Sequence, residues 1–533
     1  MKSGTHSETA VDVLVVGAGP SGLLLACELL SRKVRVRIVD RAPRPADVPK
    51  ALSIYPRALD IMTDQGMRDA VFDVSSTIRT LSYFSDRNHL ASIHIPDEHA
   101  ARVLPQYETE RILTERLETL GGKVERGVRL LCLENVDHSG RIDATADVTA
   151  VLEGPDGTVE RATASYVVGA DGAGSAVRGQ LGIGFQGSTY GLEFALVDAK
   201  VDGALSPEEI LYYQDPNGTL AIVPQPNDVY RFLSVLPPGG SRAPGVELMQ
   251  DILDSRGPRG VRIAEPVWVT VFKVHARLAS DFQLGRVFLI GDAAHVHSPA
   301  GGQGMNNGLQ DAHNLGWKLA SVIHGVSPLS LLSTYGTERA EATRRSVRDT
   351  DLHTKAWMVR GRAKTWARDA GFRLADRTGA GARLYAPVLA GRRQTYTPQR
   401  DSQLPSGWSP CRALGKLPEG IGVGGLFPRE QAVAHQLAGP GVDRMAWTLA
   451  LTDAPRGTAR WRTEVGHVVA RWPQVRVVTL PRGAAASATG CRRLGYHLLR
   501  PDGHIAAHGH EGDLNRLERE LDTVLVRGAG SAA

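Results

Sequence analysis

Only four cysteines, Cys27, Cys132, Cys411 and Cys491, occur in 533 residues, and they lie far apart. None forms the C-x-x-C pair of a metal cluster or a dithiol redox centre. Cys27 falls in a predicted helix, where a lone thiol behaves as a small apolar core residue. No apolar run approaches the roughly 20 residues of a membrane span, and the longest fit buried strands. The start, Met1 to Ala10, is polar and has no apolar signal core. The expectation is a cytoplasmic protein with reduced thiols. No lysine-rich block or basic repeat is present. The net charge of +5 is spread along the chain, mostly on arginine. That pattern predicts an ordinary soluble protein with neither nucleic acid nor membrane as partner. His295, His297 and His313 crowd one region, but without H-x-x-x-H spacing or a partnered acid, so no metal site is expected. No internal repeat is visible.

What is present is ordinary globular composition, 42% hydrophobic and 22% charged, in a chain long enough for two or three cores. Val11 to Val16 is a β-branched run suited to a buried parallel strand. Pro20 to Leu30 has helical spacing, and Val34 to Val39 is a second strand ending at Asp40. Helices are predicted at Pro56–Gln65 and Glu108–Leu120. Alternation over Leu131–Val151 and Val159–Val168 predicts antiparallel strands. Phe185 to Phe272 is strand-like throughout and reads as an inserted sheet. Met305 to Val322 is helical, and Leu329 to Asp376 is mostly so. After Gly379, proline- and glycine-rich stretches at Tyr396–Trp408 and Leu417–Pro428 read as a linker. Beyond them come strand Ala446–Leu451, helix Ala459–Trp472, strand Val475–Leu480, a hairpin over Tyr496–Ala507 and helix Asp513–Leu525.

Three glycine-marked motifs carry the chemistry. In the first, Gly17-x-Gly19-Pro20-Ser21-Gly22, Gly17 permits the turn, Gly19 lets backbone approach a pyrophosphate, and Gly22 lets helix and strand pack closely. The helix N-terminus then faces phosphate with its positive end. Asp40 is placed to accept hydrogen bonds from a ribose diol and opposes a 2′-phosphate. FAD and NAD both fit that half. The third motif, Gly291-Asp292, follows strand Val287–Ile290. A second glycine turn comes next, Pro299-Ala300-Gly301-Gly302-Gln303-Gly304-Met305-Asn306, opening a helix. Asp292 can accept from a ribityl chain, and the helix start can face the flavin pyrimidine edge, which is negative in reduced flavin. A plain NAD dehydrogenase needs no second nest, so FAD is the predicted cofactor. The middle motif is Gly169-Ala170-Asp171-Gly172-Ala173-Gly174-Ser175-Ala176-Val177-Arg178.

This ordered set resembles the class A flavin monooxygenases related to para-hydroxybenzoate hydroxylase, and most closely their larger members acting on polyketides, phenols and rifampicin. The likeness is strong over Val11–Arg345 and weaker after Gly379. It implies that Asp171, Gly172 and Arg178 serve FAD and NAD(P)H, and that Asp292 holds the ribityl chain. It also implies that Gln106, near Glu110-Arg111, touches the flavin edge. Arg277 and Gly285-Arg286 also match the pattern. Arg41 is counted with Asp40 among the cofactor contacts, and Pro299, Gly301, Gly302, Gly304, Met305 and Asn306 with the flavin loop. Where the family carries arginine, this chain has Lys50, which meets a phosphate as a point charge without the planar fork.

The resemblance implies a Rossmann-like α/β FAD-binding domain over 1–74, 99–184 and 280–350. A substrate-binding sheet domain occupies 75–98 and 185–279, a helical linker 351–398 and a thioredoxin-like tail 399–533. Without a cysteine pair, that tail is expected to be structural. The implied reaction consumes NADPH or NADH and dioxygen. It hydroxylates a bulky aromatic, of the polycyclic polyketide type, through a flavin C4a-hydroperoxide, in antibiotic biosynthesis. Baeyer–Villiger insertion beside a ketone and a non-oxygenating FAD reductase are the alternatives. Tyr212, Tyr213, Gln225, Tyr230 and Arg231 lie on the inserted sheet. Tyr213, Pro224 and Tyr230, with Pro299, are the candidates for the acceptor cavity. A homodimer is compatible with the sequence.

Overall fold

The computed structural model describes residues 11–143, 147–215, 218–236, 245–297, 301–357, 359, 361–392, 394–396, 423–452, 458–481, 483 and 494–528. The valine-rich first strand, Val11–Val16, is the centre of the first sheet. It pairs in parallel with Val36–Asp40 on one side and Val159–Gly169 on the other. Val124–Arg126 extends one edge and Val287–Leu289 the other, both in parallel. The sequence motifs therefore end side by side: Val16, Gly169 and Leu289 occupy adjacent strand ends. Val148–Glu153 and Arg129–Glu134 form an antiparallel flap beside Val159–Gly169. Helices Pro20–Leu30, Gln106–Thr119 and Gly304–Ile323 cover the sheet with leucine and alanine, and their buried faces join its core.

A second sheet of eight strands is built mainly from the expected insert. Phe185–Asp202 lies against Arg262–Ala279 on one side and Val229–Val235 on the other. Gly218–Pro224 and Glu209–Asp215 follow, Thr80–Ser85 and Asn88–His94 end that side, and His295–Val296 is the eighth strand, beside Arg262–Ala279. The strand-like reading of Phe185–Phe272 overlooks one helix, Val246–Arg256. Its Met249, Ile252 and Leu253 seal one face of the sheet. Such an eleven-residue apolar-polar pattern is too short to stand out among strands.

The tail carries a four-stranded sheet, in order Val475–Leu480, Trp447–Thr452, Gly495–Leu499 and Ile505–His510. The first pair is parallel and the rest antiparallel. Helices Thr458–Val469 and Leu514–Val524 pack on it. The sequence boundaries for these elements hold to within about three residues. Most of the linker reading, with Cys411 and Cys491, lies outside the described residues. Trp317, on helix Gly304–Ile323, is buried edge-to-face on Trp447, centroids 5.9 Å apart. One apolar cluster thus runs from the long helix into the tail. No described helix is long and apolar enough to cross a membrane.

Candidate flavin site

The first and middle motifs are packed against one another. Gly17 has φ +108°, and a Cβ there would come within 2.3 Å of the Ala170 carbonyl oxygen. A Cβ on Gly22 would lie 2.0 Å from the Gly17 carbonyl oxygen. These two glycines are required by packing. Gly19 differs, because nothing lies within 4 Å of its would-be Cβ. Its backbone is bare toward the space where a pyrophosphate would lie. Pro20 opens the helix, and no side chain caps it. Helix Gly304–Ile323 is likewise uncapped by a side chain.

Both helices run in the same direction. A Cβ on Gly308 would fall 2.3 Å from Ser21 Oγ, and one on Gly316 2.7 Å from Glu28 Cβ. Two positive helix ends therefore open on the same side of the molecule, each with unsatisfied amides. That arrangement suits a long dianionic cofactor with a second electron-rich end. Ser21, taken from sequence as a cofactor contact, sits at this junction. It is also within 2.6 Å of a would-be Cβ on Gly291, whose φ is +58°.

Asp40 stands at its strand end as expected. Its carboxylate accepts from the Ala18 and Ala42 amides, both at 2.7 Å, and so stiffens the glycine turn. Arg41 beside it is exposed. Asp292 behaves differently. No hydrogen bond or ion pair engages its carboxylate among the described residues. It is open to solvent yet deep between walls. Burial raises its pKa against the pull of His295 and Lys50. A free carboxylate in such a place is an acceptor waiting for hydroxyl donors. Lys50 also acts on Glu110, whose pKa is raised by burial. Gln106 ties the two segments, accepting from the Ala51 amide at 3.1 Å and donating to Glu110 at 2.9 Å.

The flavin loop is braced. Asn306 accepts from the Tyr55 amide at 2.8 Å and donates to Ser53 and Gly302 carbonyls at 2.8 and 3.0 Å. Tyr55 donates to the Gly301 carbonyl at 2.8 Å. Gly302 has φ +60° and is exposed, and Met305 is half-buried against the main core. Gly304 opens the helix. Pro299 lies outside the described residues.

Asp171 and Arg178 have mainly structural partners. Asp171 accepts from Ser175 Oγ at 2.5 Å and from the Ala176 amide at 2.7 Å, fixing the turn around Gly172. Arg178 donates to the Ala293 and Ala173 carbonyls, both at 2.8 Å, and lies over the Phe185 ring. The middle motif thus buckles the third motif to the inserted sheet.

Sequence reasoning missed the support beneath Gly291. Asp311 is fully buried. It accepts from the Gly291 amide at 2.9 Å and from Arg339 Nε at 2.7 Å, and its other contact is His295 Nε2 at 2.6 Å. Burial pushes its pKa up, but His295 and Arg339 outweigh that and hold it below the usual carboxylate value. His295 thus supports the Gly291 turn through Asp311. The one available signal was an acid a helical stretch after Gly291, which pattern alone does not single out.

The inserted sheet offers one face to this region. Buried Arg231 makes a two-pronged pair with Asp198, both contacts at 2.8 Å, and donates to the Lys50 carbonyl at 2.5 Å and to that of Pro49. It holds the Lys50 loop. Tyr212 shares this face and stacks on Tyr83, centroids 5.1 Å apart, with Phe372 beyond. Tyr213 and Tyr230 point the other way, into the cluster sealed by Met249 and Leu253. Tyr230 donates to the Leu205 carbonyl at 3.0 Å, and Pro224 pairs with it in register. The structure therefore does not bring Tyr213, Pro224 and Tyr230 to the Lys50 side. Alternate residues of a strand face opposite ways, so these three lie across the sheet from Tyr212 and Arg231.

With this geometry the chain belongs to the FAD-binding domain family, whose profile matches residues 10–350. Its cofactor is FAD. Over 568 aligned residues it is 33% identical to a 6-methylpretetramide 4-monooxygenase of Streptomyces rimosus, covering 98% of this chain and 96% of that one. Aklavinone-11 hydroxylase, solved with FAD and aklavinone, matches at TM-score 0.74 and 28% identity over 98% of this chain and 100% of that one. The flavin-dependent monooxygenase PieE, solved with FAD and substrate, shares the fold at TM-score 0.75 and 23% identity, covering 97% of this chain and 100% of that one.

Proposed function

We propose that this protein is an FAD-dependent, NAD(P)H-consuming monooxygenase that hydroxylates a bulky polycyclic aromatic acceptor of the polyketide type. One observation carries the site: two parallel uncapped helix ends share an opening with the unengaged carboxylate of Asp292. The acceptor class rests on the similarity to the S. rimosus monooxygenase and to aklavinone-11 hydroxylase. In this reading the Gly17–Gly22 turn receives the pyrophosphate and Asp40 the ribose. Asp292 receives the ribityl hydroxyls, and the Gly301–Asn306 turn the pyrimidine edge. Lys50 and Gln106 flank the flavin from the opposite loop. Bound flavin supplies the electron transfer and oxygen activation, and the protein supplies orientation and exclusion of water. The acceptor lies on the Tyr212 face of the inserted sheet, against the aromatic wall of Tyr83 and Tyr55.

The same reading takes the insert as a substrate domain and the tail as thioredoxin-like in architecture. Its parallel pair followed by an antiparallel hairpin supports this. It also takes the enzyme as a cytoplasmic homodimer acting on small molecules and dioxygen, with neither nucleic acid nor membrane as partner. The test is incubation of the yellow protein with NADPH or NADH, oxygen and a panel of aromatic polyketides. The expected product gains one oxygen as a new phenol, located by NMR. A new ester or lactone would assign ring or chain insertion instead. NAD(P)H oxidation with no oxygenated product from any acceptor would leave only a reductase.

A further inference from the structure

Away from the flavin turns, helices Pro20–Leu30 and Gly304–Ile323 meet the tail around a small open cavity of about 60 Å³. Arg32, Arg57, Arg429, Arg444 and His313 line it, together with Glu28, Asp64, Asp443 and the ion pair of Arg500 with Asp502. Several of these charges are already matched. Arg32 pairs with Glu28, Arg429 with Asp64 at 2.5 Å, and Glu28 also meets His313 at 3.1 Å. Two guanidiniums remain. Arg57 is 7% exposed and donates only to the Asp502 carbonyl, at 2.8 Å. Arg444 has Ser31 Oγ at 3.5 Å. Neither has a carboxylate within ion-pair distance among the described residues. Arg32 is 4% exposed, and its Nε has no hydrogen-bond partner there either.

Arginine cannot shed its proton to relieve burial. Glu28 and Asp64 offset Arg444 only from a distance, so two guanidiniums with no carboxylate in contact, beside an unsatisfied Nε, are costly unless an anion joins them. Leu426, Phe427, Leu437 and Val442 form the apolar part of the wall, which lowers the local dielectric and strengthens any such pairing. Forked N–H donors match the oxygens of a phosphate or carboxylate.

We propose that this junction cavity binds a small oxyanion, a phosphate or a carboxylate, through Arg57 and Arg444. The ligand would touch the tail through Arg444 and the flavin-binding part through Arg57 and Arg32, so it ties the two together. The test uses the full-length, FAD-loaded protein, with inorganic phosphate and succinate as probes and sodium chloride at matched ionic strength as reference. Calorimetric titration is expected to show saturable one-to-one binding of at least one probe. The unfolding midpoint should rise with the logarithm of its concentration. Arg444→Gln should weaken binding by about tenfold or more, the loss of one charge-assisted contact, with FAD content unchanged. Arg57→Gln should do the same. If Arg57→Gln does not fold, the half-buried Arg444→Gln decides alone. Absence of saturable binding for both probes would overturn the proposal. So would unchanged affinity in Arg444→Gln, which would mark the effect as general screening.

Discussion

Gly19 and Gly22 look alike in a motif, but their neighbours separate them. Gly19 has φ −78°, which alanine adopts freely, and open space beside it. Gly19→Ala is expected to fold normally and to lose FAD, because the methyl stands where phosphate oxygens approach backbone. Gly22→Ala would drive a methyl to 2.0 Å from a carbonyl oxygen and should fail at folding. Thermal unfolding and flavin absorbance of the two variants check this contrast, and equal midpoints would sink it. Asp292→Ala removes an acceptor and leaves no orphaned partner. Its loss should lie on the order of 1.5–3 kcal/mol, roughly ten- to hundredfold in FAD affinity, with stability of the FAD-free protein unchanged. Titration of that protein with FAD measures both. At this scale the sequence was informative wherever chemistry is local: glycine spacing and a terminal acid report on adjacent residues. Asp311 and Arg339 escaped because their meaning depends on contacts across 20 and 28 positions.

Elements explain where the candidate tyrosines part. Strand periodicity reveals two faces but not which one meets the rest of the molecule. Tyr212 and Tyr213 are neighbours in sequence on opposite faces, and Tyr212 shares the face from which Arg231 clamps the Lys50 loop. Core strands and the tail's hairpin were legible, since each is a short run with its own turn signals. Helix Val246–Arg256 was not. Arg231 also supplies an element-scale prediction. Asp198 is fully buried, so Arg231→Ala would leave an unpaired carboxylate and release the Pro49–Lys50 carbonyls. A loss of about 3–5 kcal/mol is expected. Calorimetry should show it, and the double variant Arg231→Met with Asp198→Leu should recover much of it. No recovery would mean that the pair is more than a buried brace.

The whole molecule is sensitive to acid, and the sign follows from its buried histidines. Burial pushes His297 and His504 down to about 3 and His508 down to about 4. Each is neutral in the fold and protonates in the unfolded chain near pH 6.5. The stability they contribute is complete above about pH 6.5 and falls as pH drops toward 3–4. Linkage gives about 2 kcal/mol per site at pH 5. Glu338 adds a later step. Burial raises its pKa, but Arg500 and Lys318 overcome that and hold it at about 2, so its share is lost below roughly pH 4.5. Urea unfolding between pH 7 and 5 should therefore show a steep loss before ordinary carboxylates titrate. A flat profile to pH 5 would show those rings to be hydrated. Two of the three sit in the tail, and Glu338 pairs with the tail's Arg500 at 2.6 Å, so the tail should loosen first. Removing the tail outright would bare Trp317 and leave Glu338 with Lys318 as its one cation.

The pairing of Ser21 with Gly308 has a consequence for how the protein is made. The first nest leaves the ribosome with its strand and helix early, but its partner is 287 residues further along. At ordinary synthesis rates that interval is roughly 15–60 s. Throughout it, the nascent chain holds half a nucleotide cradle and no place for the isoalloxazine. Flavin capture is therefore a late event in the birth of this enzyme. A cell short of riboflavin would accumulate finished chains whose two halves meet without the molecule that spans them.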